Sequence, residues 1–338
     1  MNASPSPSNV LIDQVVAAAN AQFGSELSQD LREAMNAFAG HPDFAAARHA
    51  IAQRLIDIRS CTGAGFLAVW FGAAAENGAE PESAGRDILE TMLKWSRTVE
   101  TPPDQDSDEA IEDEEIDPEI NCGLEMLGQG LVAHVSRSPA LHQQLSDSPL
   151  VIEELERIEH LSAGPMWVLE LLRKRSGELV VIHVEQRRGY RVSYQNLSNC
   201  FHLFTLLQSA MADVKAPDTK RVPPLLKAVA LGEQQDDVHD DAWWHYGIGT
   251  CPTADFGGSI WGEATLDSIP EIEGEQIVLL WPMLLSSRGW GAGFFGPFLQ
   301  ALPPMVTVVS ELTDEEVARW TDRLKLPAIH SKPWWKFW

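Results

Sequence analysis

The sequence predicts an α+β protein built in modules: a helical N-terminal bundle, a central helix-plus-hairpin module and a C-terminal α+β module with a small sheet. Three observations carry this expectation. Apolar residues recur at three- and four-residue steps through residues 1–99, as one face of a helix requires. Short β-branched or alternating runs begin at Glu178 and continue to Leu312. Polar stretches rich in proline and charge, at 100–117 and 213–224, interrupt the apolar patterning and mark linkers.

Within residues 1–99, Phe44, Ala47, Ile51, Leu55 and Ile58 share one helical face after Pro42. The run GFLAVWFGAAAEN is apolar nearly all round, which places its helix at the centre of the bundle. Ala84, Ile88, Met92 and Trp95 give the next helix a single buried stripe. The linker TPPDQDSDEAIEDEEID carries many carboxylates and no Lys or Arg, so mutual repulsion and scarce apolar surface predict disorder. It lacks the central glycine of a calcium loop.

Asp117-Pro118 opens the module 118–212, as a cap followed by a residue whose φ already suits a helix. Ile120, Leu124, Leu127, Leu131 and Val135 then face the core; Ser148-Pro149 starts a second helix and Pro165 a third. The strand ELVVIHV turns at Arg188-Gly189 into a strand with Tyr190, Val192 and Tyr194 on one side. Asn196 is the expected cap of a helix burying Leu197, Cys200, Phe204, Leu207 and Met211. In the module 225–329, strands are expected at Trp243–Ile248, Ser259–Leu266, Gln276–Trp281 and Met305–Leu312. IVLLW should be covered on both faces. Thr313 and Glu316 form a capping box ahead of a helix with the buried stripe Val317, Trp320 and Leu324, ended by Pro327. Residues 330–338 are an aromatic tail.

A formal net charge of −24 argues against a protein that grips nucleic-acid phosphates or an anionic membrane, because both forms of binding draw on Lys and Arg. A basic protein, a metal ion or a neutral ligand remains attractive. Cys61, Cys122, Cys200 and Cys251 lie far apart with no C-x-x-C pair, which reads as reduced thiols of a cytoplasmic protein. The N-terminal stretch has no basic residue ahead of an apolar run, and Gly63 to Ala75 is too short to span a bilayer. No membrane span is expected.

The densest cluster of ligand-type side chains is VHDDAWWH, in which His239, Asp241 and His245 are candidate ligands for zinc, iron or manganese. Their spacing is neither helical nor an H-E-x-x-H motif, and an exposed acidic turn explains the same residues. Cys251, near His245 and Asp255 in a glycine-rich stretch, is the candidate nucleophile. Gly291, Gly293 and Gly296 satisfy G-x-G-x-x-G, but two prolines leave too little helix behind them for a pyrophosphate site. His134, His160 and His183 read as core histidines. No cofactor is expected.

The tail SKPWWKFW is different in kind. Trp334, Trp335, Phe337 and Trp338 cannot form a core by themselves and expose a costly apolar surface unless docked. They are the candidate protein-binding residues, serving a protein partner or self-association. The functional expectation is therefore a non-enzymatic protein-binding or adaptor protein, one version of which neutralises a basic protein partner. The alternatives are a metal-dependent hydrolase sited in the C-terminal module and a structural subunit of a larger assembly.

Overall fold

The computed structural model describes residues 7–41, 44–99, 116–216, 219–234, 237–240, 244–284, 288–291 and 302–327. The chain divides into two compact units, Met1–Leu172 and Arg173–Trp338. The boundary falls inside the stretch 118–212 that its sequence groups together, and the acidic segment 100–115 lies outside the described residues.

The first unit is helical. Its helices are α1 (Pro7–Asn20), α2 (Gln29–Ala39), α3 (Phe44–Ala52), α4 (Cys61–Glu76), α5 (Glu82–Ser96), α6 (Pro118–Val135), α7 (Pro139–Ser146), α8 (Pro149–Ile158) and α9 (Ala163–Leu172). Helix α4 is the central one expected from its all-round apolar sequence, and it packs chiefly on α6. Small residues set how close the two axes come. A Cβ added at Gly130 would stand 2.5 Å from the backbone of Ala68 on α4, and one at Gly164 of α9 would stand 2.1 Å from the Leu124 carbonyl of α6. Leu67, Phe71, Ile88, Met92, Leu124 and Leu127 fill the space around this seam, all fully buried. Ser60, Asp117 and Ser138 cap α4, α6 and α7 by accepting backbone N–H groups. One expected helical face is broken: α3 ends at Ala52, and Leu55 and Ile58 reach the core from a short 3₁₀ turn and the residue after it.

The second unit is a mixed sheet covered on both faces. Its elements are β1 (Arg175–His183), β2 (Arg188–Leu197), α10 (Cys200–Asp213), α11 (Pro224–Ala230), β3 (Asp237–Asp240), β4 (His245–Ile248), β5 (Glu271–Ile272), β6 (Glu275–Trp281), β7 (Arg288–Gly291), β8 (Met305–Glu311) and α12 (Asp314–Leu324). The strand order is β4-β6-β1-β2-β8, with β5 paired to β6, and β3 with β7 forms a separate two-stranded sheet. Only β1 and β6 run parallel among the described pairs. Alternation sorts the side chains between the faces. Leu179, Val181, Val278 and Leu280 join the core made with α10 and α11, whereas Val180, Ile182, Ile277 and Leu279 join the core made with Val317, Trp320 and Leu324 of α12. IVLLW is thus covered on both sides, as its unbroken hydrophobicity requires.

Several local expectations change for physical reasons. The β1–β2 turn occupies 184–187, with Arg187 at φ 50°, so Arg188 and Gly189 belong to β2. The cap of α10 is Asn199, whose side chain accepts the His202 N–H; Asn196 instead sits at φ 55° within β2. No strand forms over 259–266 beyond a single bridge from Ser259 to Gly247. The carbonyls of Gly262 and Ala264 accept from the N–H groups of Phe201 and Cys200, so this segment satisfies the open donors of α10. Ala216 and Val222, in a stretch expected to link modules, are buried against the α10 and α11 face. His134 and His183 are buried, but His160 is exposed. Among the described residues no helix is long and apolar enough to cross a membrane.

Candidate functional site

The two ends of the main sheet differ in how their outer edges are treated. At the β4 end, Ser259 bridges to Gly247 and the Ile260 N–H donates to the Tyr246 carbonyl at 2.8 Å, so a loop lies along that edge. At the other end β8 pairs with β2, and among the described residues no strand pairs with its outer side. Such an edge presents a row of N–H and C=O groups ready to pair with another chain.

The residues around β8 determine how it is held. Asn196 donates from Nδ2 to the Pro303 carbonyl at 3.1 Å, tying the Pro303-Pro304 approach to the end of β2. Val306 and Val308 turn inward against the α10 face, while Met305, Thr307 and Val309 stay exposed. Val309 is the extra residue of a bulge, since Val192 pairs with Val308 and Arg191 with Ser310, and it is 58% exposed. At the far end Arg188 holds Glu311 through Nε and Nη2 at 2.5 and 2.6 Å. That pair keeps the Glu311 carboxyl below its ordinary range.

A groove of about 450 Å³ runs beside the strand, lined on the helical side by Leu206, Ala210, Val214 and Leu231 and on the strand side by Val306 and Val308. Asp213 and Lys227 stand at its rim and also line a neighbouring hollow of about 350 Å³. An apolar trough flanked by an open strand edge is the arrangement by which extended peptides dock, the backbone pairing with the edge and alternate side chains entering the trough.

The sequence-derived candidates fall elsewhere. His239 lies on β3, but its side chain and all of Asp241 are outside the described residues. His245 opens β4; its Nε2 and the Ser259 hydroxyl are 3.2 Å apart, its ring meets Phe256 edge-on, and burial pushes its pKa down. Among the described residues no group of three His, Cys, Asp or Glu side chains stands ready for a metal. Cys251 contacts Thr253 Oγ1 at 3.3 Å, and Thr253 in turn donates to Asp255 at 2.5 Å. The other Asp255 oxygen accepts the Gly258 N–H at 3.0 Å, so this carboxylate caps the short 3₁₀ turn at 256–258. These hydrogen bonds hold the loop in shape around Cys251. Gly291 ends β7, and Gly293 and Gly296 lie outside the described residues, as do Trp334, Trp335, Phe337 and Trp338.

One surface feature has no counterpart in the sequence reading. Phe256 and Trp261 face each other with near-parallel rings at 6.2 Å, each 53% exposed. The only signal available beforehand was aromatic content in a glycine-rich loop. The β8 edge likewise had only its alternating pattern to announce it.

Family models, curated proteins and solved structures were searched, and none matches this chain.

Proposed function

We propose that this chain is a protein-binding adaptor that captures an extended segment of a basic partner by strand addition at β8. The observation that supports the reading is the edge of β8, unpaired among the described residues, beside an apolar groove. Net charge supplies the partner's sign: a chain at −24 attracts basic segments and steers their encounter. In this reading the apolar side chains of the partner enter the groove at alternate positions, and its Lys or Arg residues meet the acidic surroundings.

The test is the double variant Thr307→Lys/Val309→Lys, which places charge on the exposed side of β8 without removing a core contact. Partner recovered by the native chain, cross-linked to β8, and lost from the variant at unchanged Tm is the expected result. Equal recovery by both chains, or a cross-link confined to the first unit, overturns the reading. Stoichiometric metal in the purified protein, with hydrolytic turnover lost in His245→Ala, overturns it in favour of a hydrolase.

A further inference from the structure

We propose that the exposed pair Phe256 and Trp261, at the β4 end of the main sheet, is a cation–π site that receives an arginine side chain of a basic protein partner. The segment carrying the two rings is tied down on both sides of them without using them. Asp255 caps the turn at 256–258, the Ile260 N–H donates to Tyr246, and the Gly262 and Ala264 carbonyls accept from the first N–H groups of α10. Gly262 lies so close to the Phe201 ring that an added Cβ would stand 2.2 Å from it. Ile260 and Leu266 are what this segment sends into the core, whereas Phe256 and Trp261 join neither of the cores on the two faces of the sheet. Their rings, 6.2 Å apart and within 11° of parallel, are each 53% exposed. Aromatic surface that is held in place and does nothing for the fold is surface for a partner to cover.

Charge identifies the occupant. From Ala228 to Ser287 the sequence has no Lys and no Arg. Asp267, Glu273 and Glu275 within that stretch are paired with Arg175, Arg323 and Arg191 from elsewhere in the second unit. Asp255 and Glu263, which flank the rings in sequence, are exposed and have no Lys or Arg partner among the described residues. The Thr253 hydroxyl and the Gly258 N–H donate to Asp255 and keep its carboxyl below the ordinary range. Among the described residues no Lys or Arg stands over either ring, although Lys94, Arg188 and Arg319 each lie over an aromatic ring elsewhere. A guanidinium stacks flat on an aromatic face, is attracted by the negative charge of that face, and is less strongly hydrated than an ammonium. Other occupants suit the surface less well. A sugar needs free hydrogen-bonding groups, but Thr253, Asp255 and Ser259 already use theirs within the loop. A second copy of a chain at −24 brings like charge to the same carboxylates.

This site rests on the reading of the chain as a captor of basic partners, but it stands at the opposite end of the sheet from β8. The probe is an alternating glycine–arginine octapeptide, with citrulline in place of every arginine as the uncharged control. It is titrated into the full chain carrying nitrogen-15 in its tryptophans, and the indole N–H resonance of Trp261 is followed, assigned by its loss in Trp261→Phe. The arginine peptide should shift that resonance and bind less well as salt rises, and the citrulline peptide should leave it in place. Trp261→Ser and Phe256→Ser should each weaken binding about fivefold to tenfold at unchanged Tm, whereas Trp261→Phe, which keeps an aromatic face, should bind within about twofold of the native chain. An unmoved Trp261 resonance, equal binding of the citrulline peptide, or native affinity in Trp261→Ser overturns the proposal. A resonance that moves with protein concentration alongside a dimer in sedimentation puts a second copy on the rings and overturns it too. So does one that moves with a neutral oligosaccharide and not with the arginine peptide. For a captured partner, recovery by Thr307→Lys/Val309→Lys but not by Trp261→Ser supports this site and sinks strand addition at β8. The reverse pattern sinks this site and leaves strand addition standing.

Discussion

His134 illustrates how a single buried side chain ties stability to pH. It lies on α6 with no exposed surface, and its Nδ1 donates to the Pro81 carbonyl at 2.8 Å. Burial is the largest influence and pushes its pKa down to about 4, with the nearby Arg48 charge acting in the same direction. The unfolded chain binds a proton near the ordinary histidine value of about 6.5, so between that pH and about 4 the unfolded state carries more protons. Stability from this group is fully present above the unfolded value and is lost as pH falls toward the folded one, to a limit of about 3 kcal/mol. His134→Gln keeps a donor for Pro81 and removes the titration. Urea unfolding from pH 7 to pH 4 should therefore show a shallower loss in the variant than in the native chain; parallel curves would refute it. His202 on α10, pushed to about 3 by burial and then by Lys174, acts with the same sign. The sequence marked His134 and His183 as interior because they sit among apolar residues, but the same rule misplaced His160. His160 lies two residues beyond the end of α8 at Ile158, where the face of the helix no longer sets burial.

At the scale of elements, local chemistry was most legible where a helix starts. Thr313 Oγ1 accepts the Glu316 N–H at 3.2 Å and Glu316 accepts the Thr313 N–H at 2.9 Å, the reciprocal box read from Thr-Asp-Glu-Glu. Thr313→Ala removes one arm and should cost about 1 kcal/mol of stability in urea unfolding. The loss should appear in the second unit, because α12 covers the sheet face of Val180, Ile182 and Leu279. An unchanged midpoint would mean that the packing of Trp320 alone positions the helix. Strands were less legible. Residues 276–281 and 305–311 emerged where their patterns placed them, but 259–266 did not. Its apolar and polar residues alternate, yet its carbonyls are engaged by the N-terminus of α10, a competitor that no local pattern reveals.

For the whole molecule, the consequence of two compact units is that each has a core of its own. Met1–Leu172 closes around the α4–α6 seam and Arg173–Trp338 around the two faces of its sheet. Produced separately, each should unfold in one cooperative thermal transition; a fragment lacking any transition would show that its core is incomplete without the other. The sequence by itself determined the α+β class, the central place of α4, the caps at Asp117 and Thr313, the burial of IVLLW and the net negative charge. These depend on periodicity and on contacts a few residues apart. Tertiary structure alone decided that β1 lies between β2 and β6, that the hairpin shares one sheet with strands far along the chain, and that β8 is the edge strand among the described residues. Those pairings join residues such as Val180 and Ile277, or Val192 and Val308. Alternation tells a strand which face to bury, but it carries no information about which distant strand will accept its hydrogen bonds.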